Sequence, residues 1–210
     1  NVVPFRIPGV LGKTAAYASA VGIAVGMTFG INLVKIADSL AKAGMPAGRL
    51  RVLPGIKGSI VIDDTYNASP LAMREALEIF KTLKAKRKIA VLGDMLEIGK
   101  YTMEAHEEIG ALAAKRADLL ITVGLRGKLI ADGALKNRMA KSSIFSFDDI
   151  HEAGRFLQDK LKAGDIVLLK ASQGVRLEKV VKEIMAEPLR SKELLVRQDK
   201  AWLEKEGIYE

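Results

Sequence analysis

The sequence predicts an α/β protein built around a mostly parallel sheet, and two observations carry the prediction. From Asp63 onward, short apolar runs ("KIAVLGD", "DLLITVG", "SSIFSF", "DIVLLKAS") alternate with helical patterns near 70–84, 103–116, 127–136, 148–162 and 176–185. Runs of that kind read as buried strands, and strands that alternate with helices pair in parallel, with ligand-binding loops at their carboxyl ends. The composition agrees, because 210 residues at 49% hydrophobic and 28% charged can bury a sizeable core and give no sign of general disorder. Together these features describe a Rossmann-like domain.

The elements before it read differently. The stretch "GVLGKT" at 9–14 resembles a phosphate-binding loop, and such a loop works when it follows a buried strand and opens a helix. This one opens a helix but follows "NVVPFRIP", whose two prolines are poor for a central strand, and Ile7 stands where the full pattern needs its first glycine. Residues 14–34 carry no charged side chain, and Gly22, Gly26 and Gly30 are spaced as in helix-packing motifs. The run is rich in Ala, Gly, Ser and Thr, so a buried helix with small residues facing a close neighbour fits better than a membrane span. "NLVKIADSLAKAG" then places Leu33, Ile36, Ala37 and Leu40 on one face of a helix ending at Gly44. "RLRVLPGIKGSIVIDD" reads as two extended runs around a Pro-Gly turn. The charged segment 187–210 is expected to dock in part, through Trp202.

Charge and composition narrow the function classes. A formal charge of +8 and a pI near 9.6 favour anionic partners. The basic residues are interleaved with acids and only 5% of residues are aromatic, which argues against nucleic acid. The absence of cysteine excludes disulfides, thiolate catalysis and thiolate zinc sites. No secretory leader is visible, so the cytoplasm is expected, and a start at Asn1 rather than Met suggests part of a longer polypeptide.

Four stretches are more specific: "IVIDDTYNASPLAM", "KIAVLGDMLEIG", His106 and "GDIVLLKASQGVRLEKVV", in that order. Together they resemble the Mur ligases over residues 7–186, most closely the MurF branch that adds D-alanyl-D-alanine to the muramoyl tripeptide. The resemblance divides this chain into the end of a central ATP-binding domain at 1–62, a Rossmann-like carboxyl-terminal domain at 63–186, and a charged tail at 187–210. It implies ATP with Mg2+, UDP-MurNAc-tripeptide and D-alanyl-D-alanine as reactants, and a monomeric enzyme whose phosphate loop lies upstream. It also makes Lys13 a coincidental lysine. No catalytic or metal-binding residue is expected within this chain, and Leu11, Gly12 and Ala15 replace the His, Asn and Asn that the family places near adenine.

The resemblance also assigns roles to individual residues. Arg49, after Gly48, corresponds to a hinge arginine that reaches ATP, and Asp64 to a carboxylate on the ribose; a surface arginine and a hinge or capping aspartate are the plain alternatives. Tyr66 and Asn67 can reach into an interdomain cleft, or serve the turn in which Ser69 caps the next helix and Pro70 opens it. Asp94 and Glu97 can receive the ammonium of the dipeptide or cap the next helix, and His106 can orient Asp94 or be a buried structural histidine. Lys170 and Ser172 make a candidate carboxylate pocket, with Ala171 in place of a family glycine and Arg176 pairing with Glu178 along the helix. Three alternatives stay open: a Mur-type ligase for another amino acid, a non-catalytic Rossmann-like binding module, and a compact phosphate-loop enzyme using Lys13.

Overall fold

A computed structural model describes residues 3–209 and divides the chain into two compact units, 1–46 and 47–210. Asn1, Val2 and Glu210, at the outer ends of the first and last predicted segments, lie outside the described residues.

The first unit is a pair of helices, α1 (Lys13–Thr28) and α2 (Leu33–Lys42). Residues 3–12 form no strand, so "GVLGKT" lacks the structural setting of a phosphate loop. The Asn32 side chain caps α2 by accepting from the Val34 N–H at 2.8 Å. The predicted face of α2 holds, since Leu33, Ile36, Ala37 and Leu40 are its least exposed residues. Gly26 lets the helices approach: a Cβ there would lie 2.8 Å from Ile36 Cδ1. The expectation of a buried α1 is corrected within this unit. Gly26 is its one buried residue, while Tyr17, Val21 and Val25 are exposed, because two short helices cannot cover each other's surface. No helix among the described residues is long and apolar enough to cross a membrane.

The second unit is a six-stranded sheet in the order β1-β2-β6-β3-β4-β5. Its strands are β1 (Arg51–Pro54), β2 (Ile60–Asp63), β3 (Arg87–Gly93), β4 (Leu119–Val123), β5 (Ile144–Phe147) and β6 (Asp165–Lys170). The β1–β2 pair is antiparallel and the rest are parallel. The intervening helices are α3 (Pro70–Thr82), α4 (Thr102–Ala113), α5 (Gly127–Lys136), α6 (Ile150–Lys160) and α7 (Glu178–Ile184). One face of the sheet, with Val61, Ile89, Val91, Ile121, Val167 and Leu169, packs on α6 and α7. The alternate residues Ile62, Ala90, Leu92, Leu120 and Leu168 are equally buried on the face of α3, α4 and α5, which pack side by side.

The boundary between units falls at 46/47 instead of 62/63. Arg51–Pro54 belongs to the sheet because it pairs residue for residue with Ile60–Asp63 across the Pro-Gly turn. The segment after 186 also belongs to this unit: Leu194 and Leu195 enter the core, around a short α8 (Ser191–Leu194) and α9 (Lys200–Leu203).

The topology places β6, the last strand, between β2 and β3. β2 and β3 continue into α3 and α4 on one face, whereas β6 continues into α7 on the other. The loops on either side of β6 therefore diverge, opening two crevices at the carboxyl edge where ligands bind in open α/β sheets.

Candidate functional site

In the β2/β6 crevice, two consecutive aspartates grip the segment that leads into β1. Asp63 ends β2 fully buried; its carboxylate accepts from the Gly48 N–H at 3.1 Å and from the Thr65 N–H and hydroxyl at 3.1 and 2.6 Å. Burial, opposed by those hydrogen bonds, pushes its carboxyl up from 3.8 to about 6. Asp64 accepts from the Leu50 N–H at 3.2 Å and pairs with Lys170 Nζ at 2.7 Å. Burial raises the Asp64 carboxyl above its ordinary value, against the pull of Lys170, the Leu50 N–H and Arg49. Gly48 and Leu50 both have left-handed backbone, φ 67° and 50°, so the two carboxylates hold a tight turn. A side chain at Gly48 would meet the Tyr66 backbone nitrogen at 2.9 Å.

Lys170, at the end of β6, is 3% exposed and also donates to the Asn67 carbonyl at 3.0 Å, tying the β2–α3 loop to β6. At the mouth, the exposed Arg49 guanidinium stacks 4.0 Å over the Tyr66 ring. Asn67 is exposed and spends its side-chain oxygen on the Ala68 N–H at 2.8 Å. Ser69 caps α3 by accepting from the Ala72 N–H at 3.3 Å, with Pro70 at the first position.

The β3/β6 crevice is closed. Asp94 is fully buried and accepts from the Gly127 N–H at 2.8 Å and the Tyr209 hydroxyl at 2.6 Å, with Arg126 at 3.4 Å. It therefore holds the start of α5, not of the helix that follows it in sequence. His106 does not hydrogen-bond Asp94. Its Nε2 accepts from the Met95 N–H at 2.9 Å and its Nδ1 lies 2.6 Å from the Thr102 carbonyl, an arrangement met by the neutral Nδ1–H tautomer. Burial pushes this imidazole below its ordinary value. Ser172 joins the strand ends, donating its N–H to the Asp94 carbonyl at 2.9 Å and accepting from the Leu96 N–H at 2.9 Å. Ala171 takes the place of the family glycine without left-handed backbone, packing where a Cβ on Gly93 would come 2.8 Å from its own.

A strap formed by residues 196–209 crosses this edge. Arg197 donates to the Thr65 and Tyr66 carbonyls at 2.5 and 3.1 Å, Ile208 N–H to the Gly174 carbonyl at 3.0 Å, and Tyr209 accepts from the Leu125 N–H at 3.1 Å. Burial, reinforced by Asp94, raises the Tyr209 phenol to about 12. The strap thus touches the loops after β2, β3, β4 and β6. Trp202, the docking residue expected from sequence, is half-buried against Arg176, Arg197 and Lys205.

Residues 48–173 match the family model of the Mur ligase, glutamate ligase domain. The chain belongs to the Mur ligase family. It is 34% identical over 187 residues to the UDP-N-acetylmuramoyl-tripeptide–D-alanyl-D-alanine ligase of Bacillus subtilis, covering 88% of this chain and 40% of that protein. The ligase of the same name from Rickettsia prowazekii is 34% identical over 146 residues, 69% of this chain and 31% of its own. Among solved structures, the MurF ligase of Thermotoga maritima in complex with ADP aligns with a TM-score of 0.64 at 29% identity, over 81% of this chain and 37% of that one. A MurF of Acinetobacter baumannii aligns with a TM-score of 0.75 at 26% identity, over 84% and 38%. This chain spans about 40% of the length of the Bacillus relative.

Seen as a Mur ligase domain, the matched segment runs from Gly48 to Gln173 and contains the eight residues expected to bind ATP or substrate, Arg49, Asp64, Tyr66, Asn67, Asp94, His106, Lys170 and Ser172. The structure gathers Arg49, Asp64, Tyr66, Asn67 and Lys170 at one crevice, and Asp94, His106 and Ser172 at the other. Glu97 is exposed on a left-handed turn, φ 65°. Sequence reasoning missed Asp63, Arg126, Arg197 and Tyr209. The Asp-Asp doublet could have flagged Asp63, since neighbouring strand residues point opposite ways and both could not serve one ligand. Nothing local marks Arg197 and Tyr209, whose farthest partners lie 132 and 115 positions away.

Proposed function

We propose that the chain is the carboxyl-terminal part of an ATP-dependent amide ligase that joins D-alanyl-D-alanine to UDP-MurNAc-tripeptide in peptidoglycan precursor synthesis. The observation that carries this reading is the similarity to the Bacillus ligase, which extends over 88% of the chain. In this reading residues 1–46 end the central ATP-binding domain, residues from 47 onward form the carboxyl-terminal domain, and the enzyme works as a cytoplasmic monomer.

Two features of the β2/β6 crevice fit ATP. Arg49 lies exposed with its guanidinium over the Tyr66 ring, which leaves its edge donors for phosphate oxygens. The Asp64 carboxylate has about four lone-pair directions, and the Leu50 N–H and Lys170 occupy two, leaving acceptor capacity for a ribose diol. ATP supplies the phosphoryl group that activates the tripeptide carboxylate for attack by the dipeptide amine. This chain's residues contribute positioning: Asp63 and Asp64 fix the connector that carries Arg49, Tyr66 and Asn67 line the mouth, Lys170 ties the β2–α3 loop to β6, and Ser172 ties the end of β6 to the loop after β3. Asp94, braced through the Met95 backbone by His106, sets the loop that receives the ammonium. The reaction calls for Mg2+, and among the described residues no group of three or more His, Cys, Asp or Glu is placed to hold it.

The test is amine selectivity in the whole ligase containing these residues. Phosphate release should require the tripeptide substrate and D-alanyl-D-alanine together. Equal turnover with a single amino acid in place of the dipeptide would assign the chain to another Mur-type ligase, and turnover without any amine would overturn the reading.

A further inference from the structure

Among the described residues, two guanidiniums enclosed by the strap share one buried carboxylate. The side chains of Arg176 and Arg197 are 1% and 5% exposed, and both bind the fully buried Glu178: Arg176 Nε to one oxygen at 2.5 Å, Arg197 Nη2 to the other at 3.1 Å. One carboxylate thus serves two guanidiniums, and the exposed Lys205 places its Nζ 4.9 Å from the Trp202 ring that both arginines face. Each guanidinium keeps one buried nitrogen, Arg176 Nη2 and Arg197 Nε, with no partner among the described residues. Buried charge and unpaired N–H groups are costly, and an anion would relieve both. Both arginines also sit in left-handed backbone, φ 63° and 58°, a strained state that proteins keep mainly where it is used.

We propose that Arg176 and Arg197 form a binding site for a small oxyanion, a carboxylate or phosphate group, beneath Trp202 and gated by the strap. Guanidinium edges suit either group. Arg197 also holds the Thr65 and Tyr66 carbonyls, so an anion here bears directly on the loop that follows Asp64. If the carboxylate is that of D-alanyl-D-alanine, the site rests on the proposed function; if the group is phosphate, it stands apart from it.

Trp202 is the only tryptophan of the chain and reports on the site. The intact chain is titrated with inorganic phosphate and separately with D-alanyl-D-alanine, at constant ionic strength set by chloride, while Trp202 fluorescence is followed. A saturable change is expected with at least one of them. Saturation by phosphate alone identifies a phosphoryl ligand, whereas saturation by the dipeptide, displaced by acetate, identifies a carboxylate. Arg176→Gln and Arg197→Lys should each weaken binding about tenfold, the loss of one charge-assisted hydrogen bond, with circular dichroism as the check on folding. Should Arg176→Gln fail to fold, the conservative Arg197→Lys carries the test. No saturable response to either anion overturns the proposal. So does a response that Ser172→Ala abolishes and the arginine variants leave unchanged, although that result would keep the ligase reading, whose own test is amide formation.

Discussion

The two crevices beside β6 begin from the same part, a buried aspartate just past a strand, and finish as different devices. Asp64 meets a lysine at 2.7 Å, and around it lie the exposed Arg49, Tyr66 and Asn67, so the crevice combines a charge-compensated interior with a polar mouth. Asp94 meets a backbone N–H, a phenol and a looser arginine, and is sealed by the strap. A strand-end carboxylate is therefore no guide to ligand contact. What distinguishes the two is whether the neighbouring segment leaves acceptor directions open or fills them.

The largest effect should come from breaking the ion pair. Lys170→Met leaves Asp64 buried without its counter-charge, and the expected loss is about 3–5 kcal/mol of unfolding free energy in urea melts. Adding Asp64→Asn should recover much of it, and a double variant no more stable than the single one would show that the pair is not the source.

Next is the pH dependence of the connector clasp. Asp63 binds a proton up to about pH 6 when folded but only to 3.8 when unfolded, so its contribution favours the folded state below 3.8 and is lost as pH rises to about 6. Asp63→Asn removes that loss. Relative to the parent, the variant should gain about 3 kcal/mol between roughly pH 4 and 6, read as a pH-dependent difference in urea midpoints. A difference that stays constant over this range would mean that Asp63 titrates normally. His106 acts with the opposite sign: its folded pKa is depressed, so its contribution is present above the ordinary 6.5 and is lost as pH falls below it.

Asp94→Asn turns an amide N–H₂ toward at least one donor among the Gly127 N–H, Arg126 and the Tyr209 hydroxyl, with an expected cost of about 1–3 kcal/mol. Tyr209→Phe tests the strap alone and should cost about 1 kcal/mol. Hydrogen exchange should then rise at Leu125 and Gly127 with little change at Leu50, whereas equal loosening at both crevices would mean that the strap braces the whole edge.

Much of this molecule was legible in the chain. Helices α3 to α7, strands β3 to β6 and the two short runs around the Pro-Gly turn lie close to where periodicity places them. Ser69 and Pro70 mark a helix start through local hydrogen bonding and a fixed φ, which operate within three residues. The pairing of Arg176 with Glu178 is likewise local. The boundary before β1 was harder to see, because a four-residue edge strand owes its place to a partner rather than to its own pattern.

The sequence by itself determined the fold class, the strand ends that form the ligand edge and the family, since each rests on short-range periodicity or on contiguous motifs. Only the tertiary structure decided which carboxylate stays open and which is enclosed. That choice depends on β6 returning between β2 and β3, and on a strap whose residues find partners up to 132 positions away. Accessibility and charge compensation are properties of such distant neighbours, and no local pattern encodes them.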